Sequence, residues 1–178
     1  MSDASLKKRL VPIIAVTLLT LAADQASKRW ARSSLRGGSA VVVIDGYLDL
    51  EYHENPGSAF GLLRNLPGAR FILIGIGIVA LVVVWRMVSR VQHRRRMGDI
   101  AFALVAGGAV GNVVDRVYIG RVVDFVLMHF HRKYIWPAYN VADVALVAGV
   151  GLLILVLGRR QEGAAPAKGK GKRGRKKK

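Results

Sequence analysis

Phe71-Ile72-Leu73-Ile74-Gly75-Ile76-Gly77-Ile78-Val79-Ala80-Leu81-Val82-Val83-Val84-Trp85 is an unbroken apolar run, and its reading decides the fold. Carried on to Val88 as a helix rising about 1.5 Å per residue, it crosses the hydrocarbon core, which takes about 20 residues. Arg70 and Arg86 bracket it, with no charge between them. Three more segments reach that length only by including polar residues, so spans are expected at about 10–31, 71–88, 100–117 and 138–157. The polar inclusions are costly in a bilayer and need a reason.

Composition agrees. The chain is 52% hydrophobic yet has a formal net charge of +17, which fits apolar runs separated by basic connections. There are no cysteines, which removes disulfides, thiolate metal sites and a cysteine nucleophile. The four histidines lack zinc-protease spacing; His129 and His131 read as a polar loop near a membrane surface rather than a metal site. The first span could pass for a cleaved secretory signal behind Lys7, Lys8 and Arg9. The polar group Asp24-Gln25-Ala26-Ser27-Lys28 reads better as part of a retained helix.

Lys and Arg placement sets an expected orientation. Lys7, Lys8 and Arg9, the connection holding Arg86, Arg90, Arg94, Arg95 and Arg96, and the tail from Arg159 onward share one side, which should be cytoplasmic. Residues 32–70 and 118–136 then lie outside, with Trp30, Tyr134, Trp136 and Tyr139 at the outer interface. Within the first outer loop, Val41 to Ile44, the turn pair Asp45-Gly46 and the alternating Tyr47 to His53 predict a small sheet at about 40–60. The expected fold is therefore an all-α integral membrane protein of four transmembrane helices with a small extracytoplasmic β-sheet cradle. Residues 1–160 form one membrane domain. Residues 161–178 form a disordered basic cytoplasmic tail, suited to anionic lipid headgroups and lacking the aromatic residues of specific nucleic-acid recognition.

Four acids are read at membrane depth: Asp24, Asp115, Asp124 and Asp143. Asp45, Asp49, Glu51 and Glu54 are taken as water-accessible loop acids. Asn140 precedes Asp143 by three residues, Asn112 precedes Asp115 by three, and Asp24 precedes Lys28 by four, so each pair shares a helix face. All fall in the outer half of the membrane, with no second acid set expected at another depth. Two carboxylates in a low-dielectric site share a proton, one activating water and the other protonating the leaving group. Asp124, among Val122, Val123, Phe125 and Val126, is preferred as the partner of Asp143. Asp115 stays open as an alternative, and its neighbour Arg116 suggests an ion pair. The competing readings are a buried network that only fixes helix packing, and a small proton-relay or transport membrane protein. No serine has a plausible histidine partner at the same depth.

Five motifs in order carry a resemblance: Asp24-Gln25-Ala26-Ser27-Lys28; Asn55-Pro56-Gly57-Ser58-Ala59-Phe60-Gly61; Gly111-Asn112-Val113-Val114-Asp115-Arg116; Gly120-Arg121-Val122-Val123-Asp124-Phe125; and Pro137-Ala138-Tyr139-Asn140-Val141-Ala142-Asp143. The chain resembles signal peptidase II, the prolipoprotein signal peptidase of bacteria, over all but the basic tail. Departures are small: Trp136 and Tyr139 stand where phenylalanine is common, and Ser58 where alanine is usual.

The resemblance implies an aspartyl endopeptidase of the bacterial inner membrane; the Lys and Arg placement puts both termini in the cytoplasm and the active site toward the outer face, and nothing in the sequence suggests more than a monomer. The resemblance implies no metal and no cofactor. The implied substrates are diacylglyceryl-modified prolipoproteins, cut before the lipidated cysteine, and cyclic peptides such as globomycin are the implied inhibitors. The family's dyad falls on Asp124 and Asp143. Asp24, Lys28, Asn55, Gly57, Asn112, Asp115, Arg116 and Asn140 fall in supporting or substrate-binding roles.

Overall fold

A computed structural model describes residues 3–57, 68–90 and 95–162. Its elements are α1 (Asp3–Ser34), β1 (Val41–Ile44), β2 (Leu48–Asn55), α2 (Ala69–Ser89), α3 (Arg95–Tyr118), β3 (Val122–Phe130), β4 (Tyr134–Ile135) and α4 (Val141–Glu162). The motif residues 58–61 and the tail 163–178 lie outside the described residues.

All four helices are long and apolar enough to cross a membrane. Among them α3 is the inner one, packed on α1, α2 and α4. Lipid tails are as apolar as leucine, so helices associate in a membrane through close packing of small residues. The sequence of α3 supplies these. Ala101 and Ala103 are fully buried. At Gly107 an added Cβ would strike Thr20 of α1, and at Gly108 it would strike the Ala142 carbonyl of α4. In contrast, α2 leaves Phe71, Ile76 and Val79 exposed, as a lipid-facing helix does.

The sheet is larger than expected from residues 40–60 alone. It is an antiparallel meander in the order β1-β2-β3-β4. Gly120, at φ 76°, turns the chain out of α3 and into β3. Asp124 thus stands on a strand above the helices, opposite His53 in the β2–β3 ladder. A short apolar run after a long helix is ambiguous by periodicity alone, which is why β3 was not foreseen. The sheet sits on the C-terminal end of α1, with Val123 and Phe125 packed against Ala31 and Leu35, and Leu50 and Tyr52 beside them. Trp30 meets Phe125 edge to face at 6.2 Å.

The fourth helix starts at Val141 rather than near residue 138. Tyr139 is engaged by the sheet, its N–H donating to the Val126 carbonyl at 3.0 Å while its own carbonyl accepts from Val126 at 2.9 Å.

Candidate functional site

The site grows from the N-terminus of α4. Four backbone N–H groups at a helix start lack intrahelical partners. Asn140 is the capping residue: its Oδ1 accepts the Asp143 N–H at 3.0 Å, and Asp143 Oδ2 accepts the Asn140 N–H at 3.2 Å. This reciprocal arrangement is a capping box, with aspartate in the third helical position. The Ala142 N–H donates to Asp24 Oδ1 of α1 at 2.9 Å. The positive end of the helix dipole favours both acids there. The spacing of Asn140 and Asp143 is therefore capping geometry, and it fixes the Asp143 carboxylate by local rules.

Asn140 also binds the second acid. Its Nδ2 donates to Asp124 Oδ1 at 2.6 Å, to the Val123 carbonyl at 3.2 Å and to Asn112 Oδ1 at 3.3 Å. The other Asp124 oxygen accepts Asn55 Nδ2 at 2.9 Å. Asn55 lies opposite Val122, so it sits diagonal to Asp124 on one face of the sheet. Asn55 is held in turn by the Gly57 N–H, which donates to its Oδ1 at 2.8 Å. Gly57 has φ 99°, and an added Cβ would strike Leu73 of α2.

Asp124 is 2% exposed. Burial pushes its carboxyl up to about 6; the Asp143 charge pushes the same way, while the Asn55 and Asn140 hydrogen bonds act against the rise. Asp143 is half-buried and accepts Asn112 Nδ2 at 2.9 Å on its other oxygen. The two carboxylates are thus joined through Asn140, each holding N–H donors on both oxygens, one buried with raised proton affinity and one half-buried.

Beneath them lies a fully buried cation. Lys28 Nζ is 2.9 Å from Asp24 Oδ2, 3.1 Å from Asp115 Oδ2 and 2.9 Å from Asn112 Oδ1. Asp115 Oδ2 also accepts the Val123 N–H at 3.1 Å, tying β3 to α3. The partner of Asp115 is therefore Lys28. Arg116, expected to pair with it, donates instead to the Asn112 carbonyl at 3.0 Å. Gly111 leaves the space that Asp24 fills, since a Cβ there would strike its carboxylate.

All ten residues singled out from the sequence stand in this one network. Gln25 belongs to it as well: its Nε2 reaches Asp24 Oδ2 at 3.1 Å and the Gly111 carbonyl at 3.2 Å. It lies inside a quoted motif, next to Asp24, but not at a helix spacing from an acid that would have singled it out. Two buried acids were missed. Asp49, taken as water-accessible, is 4% exposed and sits 3.0 Å from His129. Asp99 is buried near the opposite end of α3, 2.9 Å from Arg9. An acid does therefore stand at another depth, as one ion pair with Arg9 against the Trp85 ring. Among the described residues, no group of three or more His, Asp or Glu side chains has the arrangement to hold a metal ion.

A family model described as Signal peptidase (SPase) II matches residues 16–158. The lipoprotein signal peptidase of Symbiobacterium thermophilum is 36% identical over 144 residues, covering 81% of this chain and 92% of that protein. That of Pseudomonas aeruginosa (strain UCBPP-PA14) is 35% identical over 162 residues, covering 89% and 95%. Among solved structures, a bacterial membrane enzyme determined in meso at 2.3 Å superposes with TM-score 0.73 at 28% identity, covering 89% of this chain and 94% of that one. A second, at 1.9 Å, gives 0.70 at 31% identity, covering 82% and 92%.

Proposed function

We propose, since the chain belongs to the signal peptidase II family, that it removes signal peptides from diacylglyceryl-modified prolipoproteins by aspartyl acid–base hydrolysis, cutting before the lipidated cysteine. Family membership makes the chain a multi-pass inner-membrane protease acting on prolipoproteins. The dyad and the cut position are our reading.

The observation that carries it is the pair Asp124 and Asp143, joined through Asn140 and differing in surroundings. Asp124 is buried and holds its proton up to about pH 6. Asp143 is half-buried and borders an open groove along α4. Asp143 takes a proton from water as the water oxygen adds to the scissile carbonyl carbon, and Asp124 gives its proton to the carbonyl oxygen. As the C–N bond breaks, the dyad delivers a proton to the departing cysteine nitrogen. The products are a signal peptide ending in a carboxylate and a lipidated cysteine with a free amino group. In this reading Asn55, Asn112 and Asn140 hold the carboxylates, Gly57 keeps Asn55 in place, and Asp24, Lys28, Asp115 and Arg116 fix the helix ends beneath them.

In this reading both termini are cytoplasmic and the site faces outward, which the Lys and Arg placement supports. The Lys-rich tail then meets anionic headgroups. The test is cleavage of a diacylglyceryl-modified prolipoprotein by purified protein. Asp124→Asn and Asp143→Asn are expected to be folded and inactive, with Asp115→Asn retaining some activity. Full activity in Asp124→Asn overturns the dyad, and no cleavage by the wild type overturns the reading as a whole.

A further inference from the structure

Arg29, Arg32 and Arg36 follow one another at spacings of three and four near the C-terminal end of α1, so they share one helix face on the side of the sheet. Lys7, Lys8 and Arg9, at the other end of α1, belong to the basic set that orients the chain in a membrane. The three arginines do not, and they need a reason of their own.

Arg36 has a partner. It reaches Glu54 at 3.5 Å, and Arg121 reaches the same acid at 3.2 Å. Arg29 and Arg32 form no ion pair among the described residues, and the remaining residues of the chain contain no Asp or Glu. Nearby acids are already engaged: Lys28 holds Asp24 and Asp115, and Arg132 holds Asp49. The negative end of the α1 dipole favours Arg32 in the last turn, but that effect fades within the turn and leaves Arg29 without a counter-charge.

The two arginines line a pocket of about 530 Å³, together with Gln25, Ala26, Trp30 and Ser33 among the described residues. Gln25, Arg29 and Arg32 form one column on the helix, and Ala26, Trp30 and Ser33 form the next. The Trp30 ring meets Phe125 of β3 edge to face, which fixes it as one wall.

Depth decides what such a pocket can hold. From Leu10 to Trp30 the helix rises about 30 Å, the thickness of the hydrocarbon core. Arg29 and Arg32 therefore stand at headgroup level. Toward the bilayer centre the same face turns apolar, with Ala22 and Ala23 exposed beneath Ala26 and then Leu19, 70% exposed. Small residues there leave room for an acyl chain to lie against the helix.

We propose that this pocket binds an anionic phospholipid of the leaflet on the sheet side, Arg29 and Arg32 holding its phosphate and Ala26, Ala22 and Leu19 taking an acyl chain. A guanidinium fork matches two phosphate oxygens at once. The two positive charges favour a lipid of net negative charge over a zwitterionic one, whose ammonium they repel. The lipid supplies the anion that the chain itself does not. Gln25 ties the pocket to the carboxylate network, since its amide also reaches Asp24 and the Gly111 carbonyl. The bound lipid thus steadies the part of α1 that carries Asp24 and Lys28.

The experiment follows Trp30 fluorescence in the full chain, with Trp85→Phe and Trp136→Phe leaving it as the one tryptophan. Phosphatidylcholine nanodiscs are doped with lipid brominated high on the acyl chain, which quenches only nearby rings in the same leaflet. Phosphatidylglycerol so labelled is expected to half-quench Trp30 at a mole fraction about 25-fold lower than labelled phosphatidylcholine, about fivefold for each arginine. Arg29→Gln and Arg32→Gln should each shrink that ratio about fivefold. Arg36→Gln, whose partner is Glu54, should change it less than about twofold. Ser33→Glu puts a carboxylate into the pocket and should abolish the preference, which keeps the test open if Arg32→Gln weakens the helix end. Equal quenching by the two lipids before any arginine is replaced overturns the proposal. So does a preference that survives Arg29→Gln and Ser33→Glu, which assigns it to basic residues elsewhere. Equal losses in Arg36→Gln and Arg29→Gln mark a diffuse potential and overturn the site. Relief of quenching by millimolar glycerol phosphate marks a free-phosphate site and overturns the lipid assignment.

Discussion

Asn140→Ala separates the two tasks that Asn140 performs, through pH. The substitution removes the cap on α4, where Oδ1 accepts the Asp143 N–H, worth about 1 kcal/mol. It also removes the 2.6 Å donor to Asp124 Oδ1. To an ionised carboxylate such a bond is worth about 1.5–3 kcal/mol, and to a neutral one about 1 kcal/mol. Asp124 titrates at about 6 in the folded protein, above the ordinary carboxylate value. The unfolded chain therefore loses its proton first, and stability falls as pH rises toward that value. Without the Asn140 donor the folded Asp124 binds its proton still more tightly, so the variant goes on losing stability at higher pH. The expected deficit is about 2 kcal/mol at about pH 5 and about 2.5–4 kcal/mol at about pH 8. At roughly 2–4 °C per kcal/mol for a chain of this size, Tm should drop about 4–8 °C at the lower pH and about 5–16 °C at the higher. Thermal unfolding in detergent at the two pH values measures it. Equal drops refute the assignment of the raised carboxyl to an Asn140-bonded Asp124.

Wild-type kcat/KM should fall as pH rises through about 6, because cleavage in this scheme needs Asp124 protonated; a pH–rate profile flat from about 5 to 8 counts against it. Lys28→Met strands the Asp24 and Asp115 carboxylates in the helix bundle and should lower stability by about 3–5 kcal/mol, with adding Asp115→Asn recovering part of the Tm loss. Gly57→Ala forces a side chain onto φ 99° and against Leu73, so a loss of about 1–3 kcal/mol with a matching fall in kcat/KM is expected from unfolding and cleavage assays. Deleting residues 161–178 should leave cleavage in detergent unchanged and weaken binding to anionic vesicles, measured by flotation.

The helices were legible because bilayer thickness demands an apolar length that no other structure needs, and residues 71–85 meet it without a break. The site was legible for a related reason: Asp24, Lys28, Asn112, Asp115 and Asp143 sit where polarity is costly. β1 and β2 were readable from β-branched residues and the Asp45-Gly46 turn. β3 was hidden, since Val122 to Val126 carries no alternation and is too short for periodicity to tell a strand from a helix end. The mistaken Asp115–Arg116 pair came from adjacency along the chain, whereas consecutive residues on a helix point about 100° apart. Asp49 was misjudged because sequence assigns a loop to water, and here the loop folds back as a sheet over His129.

The arrangement around Asn140 explains why so few residues carry both fold and chemistry. A helix that begins at the end of a bundle must satisfy its first N–H groups, and in this chain Asn140, Asp143 and Asp24 accept three from the start of α4. Asp24 needs a counter-ion at full burial, and Lys28 one turn along α1 supplies it while also binding Asp115 of α3. Asp115 in turn accepts from Val123, which fixes the strand position next to Asp124. The cap, the ion cluster and the β3 register are successive links that lead from one carboxylate of the pair to the other. Displacing β3 by one residue would turn Asp124 to the opposite face of the sheet, away from Asn140. The separation between the two acids is thus set by hydrogen bonds that the folded state needs anyway, and a substitution at Asn140, Lys28 or Asp115 should disturb stability and cleavage together.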